Sequence, residues 1–325
     1  MKIRYATNRV IVANAEDPFH PTFTADMQKG GGITYGTCEI NMPSREDEQS
    51  YWNPKKAKLV AAYIYNGSDE DYFKELSKAY TSKDILLYIH GFNNTFEDVI
   101  LQAGRLKRDL DFPGEAMAFS WTSKGSALRY PYDQEMAEKS VDTLYKVLVK
   151  TMKTAQDNGG KVSLVVHSLG NRITAMAMQK LEHDKVYQDL LAKGKPIAVT
   201  IFSAPDVDIN YFGSVLPTAT KWSDMVSFYW SSKDRALKFS NDIHEMVRAG
   251  LHPLFNDNVD TVNVDKTKSW FSMGHAYYSQ SDPVVLDLLL QFKYGRRAWL
   301  RHPPLVRDLD TENKLFFKHW ILSPS

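Results

Sequence analysis

Short apolar runs rich in β-branched residues alternate with longer amphipathic stretches along most of this chain. The runs predict strands, because strands that are buried on both faces of a parallel sheet are apolar throughout. The predicted strands cover residues 3–9, 33–40, 58–65, 85–89, 116–121, 161–167, 197–203, 225–230 and 260–264.

The amphipathic stretches repeat their apolar positions with the period of an α-helix. They predict helices over residues 69–79, 96–110, 134–156, 173–181 and 284–292. Strands that alternate with helices are typical of an α/β fold, with a mainly parallel central β-sheet and helices on both faces.

One domain over residues 1–325 is expected, since neither a linker nor an internal repeat divides the sequence. The aromatic loop 122–133 and the segment 207–223 are the expected positions of small lid or pocket insertions. The tail, residues 296–325, has no clear periodicity and no predicted role.

Composition narrows the classes of function. Forty basic and thirty-nine acidic residues leave a net charge of +1, which argues against recruitment of nucleic acid. No apolar stretch reaches membrane-spanning length, and the single cysteine, Cys38, excludes an internal disulfide. A cytoplasmic protein is expected, and nothing in the sequence predicts an oligomeric state.

Ser168 is the candidate nucleophile. It follows the apolar run 161–167 and precedes small residues that open a helix, the pattern of a strand, a sharp turn and a helix. The nucleophile motif G-x-S-x-G is present from the serine onward, but Val166 occupies its first position. The alternative interpretation is a serine that only caps a helix.

A serine needs a base and a group that orients the base. If the acid and then the histidine follow the serine along the chain, His275 is the favoured base, because its loop lies between the last predicted strand and the last predicted helix. Asp234 and Asp206 each follow a strand whose carboxyl end lies at the same edge of the sheet. Asp234 is the favoured acid, because its strand lies one further along, nearer the loop expected to hold the histidine, and Asp206 is its rival.

Two backbone N–H groups are expected to form an oxyanion hole. One belongs to Leu169, directly after the nucleophile, and the other to Phe92, in the loop after the strand 85–89. His90 and Trp121, at the ends of neighbouring strands, are candidate substrate contacts.

No cofactor or metal is expected. The sequence His244-Glu-Met-Val-Arg248 lacks the second histidine of a zinc-protease motif, and no glycine-rich phosphate-binding loop is present.

The chain resembles the α/β-hydrolases, and it is particularly similar to a poorly characterised bacterial group described as esterase/lipase-like. The motifs that carry the resemblance follow one another in the expected order: Tyr5-Ala-Thr-Asn-Arg9, His90-Gly-Phe-Asn-Asn94, Phe119-Ser-Trp121, His167-Ser-Leu-Gly-Asn-Arg172, Ala204-Pro-Asp206, Asp234-Arg-Ala-Leu237 and His275-Ala-Tyr-Tyr278. The resemblance implies a triad of Ser168, Asp234 and His275.

The expected function is therefore a serine hydrolase that cleaves a small-molecule carboxylic ester through an acyl-enzyme. A thioesterase, an amidase or an acyltransferase would use the same triad. The remaining alternative is a non-catalytic binding protein, which Val166 and the aromatic residues of the tail favour.

Overall fold

An eleven-stranded β-sheet organises the part of the chain that the structure describes. The structure is a computed structural model that describes residues 1–17, 19–49, 55–78, 82–124, 129–244, 246–267, 281–301, 305–309 and 316–322. The strands in chain order are β1 Lys2–Thr7, β2 Arg9–Val12, β3 Thr22–Met27, β4 Thr34–Asn41, β5 Lys58–Ile64, β6 Ile85–Ile89, β7 Glu115–Ser120, β8 Val162–His167, β9 Ile197–Ser203, β10 Ser223–Trp230, β11 Val259–Asn263, β12 Leu305–Leu309 and β13 Phe316–Leu322.

The order of strands in the large sheet is β12-β13-β11-β10-β9-β8-β6-β7-β1-β4-β5, and β2 and β3 form a separate two-stranded sheet. From β13 to β1 in this order, each strand is parallel to its neighbours. Antiparallel strands complete both sides. The predicted α/β fold with a mainly parallel sheet is confirmed, and the carboxyl ends of its central strands share one edge.

Helices cover both faces of the sheet. Their bounds are α1 Arg45–Gln49, α2 Asp69–Lys78, α3 Phe96–Asp109, α4 Tyr130–Lys139, α5 Val141–Asp157, α6 Gly170–Glu182, α7 Lys185–Ala192, α8 Ile209–Trp222, α9 Arg235–His244 and α10 Asp282–Tyr294. Among the residues described, none of these helices combines the length and the apolar content needed to cross a membrane.

Successive residues of β6 show how the sheet separates two hydrophobic cores. Leu87 and Ile89 pack in a core with α5, α6 and α8. Leu86 and Tyr88 point the other way, into a core with α3 and α10. All four side chains are buried, which explains why β6 reads as a continuous apolar run.

The helix predicted over residues 134–156 is wrong as a single helix. The structure has α4 and α5, which meet at Ser140. The Ser140 hydroxyl donates to the carbonyl of Met136 at 2.6 Å and accepts from Asn8 Nδ2 at 2.8 Å. A serine that bonds back to the preceding turn bends a helix, and here the distant Asn8 fixes the bend.

The two expected insertions contain regular helices. Residues 130–133 form the first turn of α4, which contains Pro131. Residues 125–128 lie outside the described part of the chain. Residues 209–222 form α8, whose buried face, including Phe212 and Trp222, packs in the first core. Helix α8 therefore connects β9 to β10 as a crossover helix.

The tail takes part in the fold. Beyond α10, a short 3-10 turn at Ala298–Leu300 is followed by β12 and β13, which extend the sheet beside β11. Arg301 is fully buried and lies 2.7 Å from the Asp287 carboxylate and 3.0 Å from that of Asp260. Tyr229 donates a hydrogen bond to the same Asp287. The tail is therefore anchored by a buried ionic cluster.

Arg301→Ala is expected to destabilise the protein by about 3–5 kcal/mol, because it leaves a buried carboxylate without its charge partner. Urea unfolding followed by tryptophan fluorescence measures the change. Lys293→Ala is the control, since it breaks an exposed ion pair with Asp111 that water screens, and it should leave the stability nearly unchanged. Equal, small losses in both variants would mean that Arg301 does not anchor the tail.

Candidate active site

Ser168 occupies a strained turn between β8 and α6. Its φ is +51°, in the left-handed region that a serine seldom adopts. The turn is held by backbone hydrogen bonds: Ser168 N donates to Ser203 O at 2.9 Å, and Asp206 N donates to Ser168 O at 3.2 Å. The Asn171 amide also donates to Ser168 O, at 2.9 Å. Strain that the surroundings hold in place is typical of functional residues.

The turn forms with Val166 at the position where the motif has glycine. Val166 is fully buried, and its strand register places it between Ile89 and Phe202. Gly170 is the glycine on which this packing depends, because an added Cβ would lie 2.4 Å from the carbonyl oxygen of His90. Helix α6 can thus approach the end of β6 closely.

The loop after β6 passes directly beside the candidate nucleophile. A Cβ added to Gly91 would lie 2.6 Å from Ser168 Cβ and 3.0 Å from His167 Nδ1, so only glycine fits there. The next residue is Phe92, and Leu169 follows the serine. The two segments that carry the predicted oxyanion donors are therefore neighbours, and the roles of the two N–H groups stay predictions.

Asp234 is fully buried and lies four residues beyond the end of β10. One of its carboxylate oxygens, Oδ1, accepts hydrogen bonds from the backbone N–H groups of Ala236 and Leu237, both at 3.0 Å. These bonds cap the start of α9 and orient the carboxylate. Strand β10 lies two places from β8 in the sheet, so Asp234 lies on the same edge as Ser168.

Asp206, the rival acid, is engaged in a buried polar cluster. Its carboxylate accepts from Tyr130 Oη and Ser240 Oγ, each at 2.7 Å, and lies 3.3 Å from Nε of the buried Arg248. These contacts tie together α4, α9 and the segment before the 3-10 turn Ala249–Leu251. The cluster favours a structural role for Asp206.

The predicted base, His275, lies outside the described residues, so its role stays a prediction. The chain leaves β11 at the edge of the sheet that carries Ser168 and Asp234, since Val264 N donates to Trp230 O at the end of β10. Of the described histidines after Ser168, His183 ends α6 and is exposed. His252 is exposed beside the turn that bonds to Pro205 and Ser231.

His90 and Trp121 bind each other in the interior. The Trp121 indole donates to the carbonyl of His90 at 2.8 Å, and the two rings stack with centroids 4.7 Å apart. The His90 ring nitrogens face the carbonyls of Gly91 and Trp121. Both side chains are fully buried, an arrangement that holds the ends of β6 and β7 together. Their contact with a substrate stays a prediction.

Burial and the nearby charge of Arg9 lower the pKa of His90 from 6.5 to about 3, outweighing its two backbone contacts. Between pH 6.5 and 3 the unfolded chain binds a proton on His90 that the folded protein does not bind. His90 should therefore lower the free energy of unfolding by about 1.4 kcal/mol for each unit by which the pH falls. His90→Gln should have a shallower slope over that range. Urea unfolding at a series of pH values measures both slopes, and identical slopes would contradict the prediction.

Sequence reasoning assigned no role to Arg9 and Asp133, although both border the site. Arg9 is 1% exposed and Asp133 is fully buried. Charged residues are almost never fully buried unless they are paired. The residue type alone therefore predicts that Arg9 and Asp133 lie at the surface. The available signal was the motif Tyr5-Ala-Thr-Asn-Arg9, in which Arg9 is the last residue of the predicted strand 3–9.

A parallel sheet between two layers of helices, with a strained serine between β8 and α6, defines an α/β-hydrolase. The family model described as "Alpha/beta hydrolase of unknown function (DUF900)" matches residues 66–292. The chain belongs to this family, so the resemblance drawn from the motifs is confirmed, and the family supports a hydrolase.

Other comparisons add little. No curated protein matches the chain. A solved structure entitled "Pyrobaculum calidifontis esterase monoclinic form" is similar over 81% of this chain and 81% of its own, with 10% sequence identity and a TM-score of 0.37. A similarity at that level carries no argument about activity.

Proposed function

We propose that the protein is a serine hydrolase that cleaves a small-molecule carboxylic ester through an acyl-enzyme. The observation that carries the proposal is the left-handed backbone of Ser168, with Gly91 packed against its Cβ. This geometry supports the proposal, because the Ser168 turn adjoins the two segments whose N–H groups are the predicted oxyanion donors.

In the proposed reaction, His275 accepts the proton of the Ser168 hydroxyl as Oγ attacks the ester carbonyl. Asp234 orients the imidazole and stabilises its cation, and the N–H groups of Phe92 and Leu169 bind the oxyanion. The C–O bond of the ester then breaks, and the alcohol leaves with the proton from His275. A water molecule, deprotonated by the same histidine, releases the acid and restores Ser168.

The direct test is to incubate the protein with a fluorophosphonate and locate the adduct by mass spectrometry of a digest. The proposal expects one adduct, on the peptide that contains Ser168, because only an activated serine displaces fluoride readily. Absence of an adduct, or modification of another residue, would count against the proposal.

The base is tested by comparing His275→Ala with His252→Ala. His252 is the matched control because it is an exposed histidine beside the same edge of the sheet. Labelling should be lost in His275→Ala and kept in His252→Ala. The reverse result would move the role of base to His252.

The same triad would serve a thioesterase, an amidase or an acyltransferase, since each passes through an acyl-enzyme. Turnover of matched esters, thioesters and amides, with and without an added alcohol acceptor, separates these activities. A non-catalytic binding protein would process none of them and would not be labelled.

A further inference from the structure

The loop of residues 91–94 is held by partners from other parts of the chain. Asn93, at φ +60°, donates its N–H to Asp133 Oδ2 at 3.2 Å, and Asn94 N donates to Ser123 Oγ at 3.2 Å. Arg9 Nη2 donates to the Asn94 carbonyl at 2.9 Å. Both N–H groups that follow Phe92, and the carbonyl of Asn94, therefore have fixed partners.

Side chains within the loop restrict it further. Asn94 Nδ2 donates to the carbonyl of Phe92 at 2.7 Å, and Gln102 Nε2, from α3, donates to Asn94 Oδ1 at 2.8 Å. The Phe92 ring packs edge-on against Tyr130, with centroids 5.2 Å apart. Asn94 Nδ2 also donates to the carbonyl of Gly91 at 3.3 Å, so the peptide groups on both sides of Phe92 are constrained in direction.

Arg9 and Asp133 are linked through Ser123. Arg9 Nη1 donates to the Ser123 carbonyl at 2.8 Å, while the Ser123 hydroxyl donates to Asp133 Oδ2 at 2.5 Å. The other oxygen, Asp133 Oδ1, accepts from Lys124 N at 2.9 Å. The two charges thus bind the loop after β6 to the loop after β7.

Burying two charges is expensive, and a well-packed apolar pair is often as stable. Here the charged groups meet backbone atoms of the loop that carries a predicted oxyanion donor. Charge-assisted hydrogen bonds are short and directional, so they restrict the backbone more tightly than apolar packing does. Donors that are aligned in advance avoid reorganisation during the reaction.

We infer that Arg9 and Asp133 are positioning residues that hold residues 91–94 so that the N–H of Phe92 points at the oxyanion. The part of this inference that concerns the oxyanion rests on the proposed function. The restraint of the loop itself does not depend on that function.

Restraint is measured by hydrogen–deuterium exchange of the full chain, in wild type, Asp133→Asn and Ser123→Ala. Asp133→Asn replaces an oxygen that accepts a backbone N–H by a donor, and Ser123→Ala removes the hydroxyl that joins Asn94 N to Asp133. Exchange at residues 92–94 should rise about tenfold or more in both variants. Ser123→Ala is the milder change and decides the matter if Asp133→Asn does not fold.

Asp109→Asn is the matched control. Asp109 is also a buried carboxylate, 3% exposed and paired with Arg45 and Arg108, but it lies at the far end of α3 from the loop. Its loss should leave exchange at residues 92–94 unchanged. Unchanged exchange in the Asp133 and Ser123 variants as well would overturn the inference.

The link to catalysis is measured with an ester and the matching thionoester. In Asp133→Asn and Ser123→Ala, the misplaced N–H donor should lower kcat for the ester by roughly 10-fold to 100-fold, with KM nearly unchanged. The thionoester should lose much less, because sulfur is a weak hydrogen-bond acceptor and draws little from the donor. Equal losses on both substrates would overturn the positioning role in catalysis.

A wild-type protein that neither turns over esters nor reacts with the fluorophosphonate would contradict the proposed function alone. The exchange measurement would still support or overturn the restraint of the loop by Asp133 and Ser123, the residue that links Asp133 to Arg9.

Discussion

Replacing Ser168 by alanine is expected to lower ester turnover by about 10⁶-fold and to abolish fluorophosphonate labelling. The substitution removes the hydroxyl that is proposed to form the acyl-enzyme, while the backbone hydrogen bonds of the turn stay in place. A small residual rate over water should survive, because the predicted oxyanion donors would still bind the transition state. Steady-state kinetics on a soluble ester measure the loss.

Ser163→Ala is the matched control for this experiment. Ser163 is a buried serine of the same strand, β8, near its other end. Its variant should keep both labelling and turnover. If Ser168→Ala were labelled as strongly as wild type, the nucleophile would have to be sought elsewhere.

Asp234→Asn is expected to lower kcat by about 10⁴-fold with little change in KM, because an asparagine favours the wrong histidine tautomer. The two backbone N–H groups of α9 can still bond to the remaining oxygen, so the fold should persist. Kinetics and a thermal unfolding curve on the same preparation separate the two effects.

Asp206→Asn should show the opposite pattern. It leaves the guanidinium of Arg248 buried without a carboxylate, so stability should fall by about 3–5 kcal/mol. Turnover of the folded fraction should stay within about tenfold of wild type, because a residue that does not orient the base contributes little to the proton transfer. If Asp206→Asn instead lost turnover and kept its stability, Asp206 would be the acid of the triad.

The central strands and helices such as α2 and α3 were predictable because their signals are local. Residues 85–89 are apolar on both faces, and the buried positions of α3 repeat with the helical period. The bend at Ser140 was not predictable, since the hydrogen bond that fixes it comes from Asn8, 132 residues away. The tail strands escaped prediction for a similar reason: the buried Arg301 that anchors them looks like a surface residue in the sequence.

The candidate site divides in the same way. A strand, a serine and Gly170 lie within one short motif, so the sharp turn could be predicted, and Gly91 follows an equally clear strand. Arg9 and Asp133 act through hydrogen bonds that span up to 114 residues of sequence. No pattern within either segment indicates which charges will be buried.

The buried position of Arg301 has a consequence for synthesis on the ribosome. The carboxylates of Asp260 and Asp287 are translated before the guanidinium that neutralises them, and β11 is translated before its neighbour β13. Pairing across so long a stretch is slow, and an incomplete sheet exposes apolar surface to aggregation. We expect the nascent chain to complete this side of the sheet only after both residue 301 and β13 have emerged from the exit tunnel.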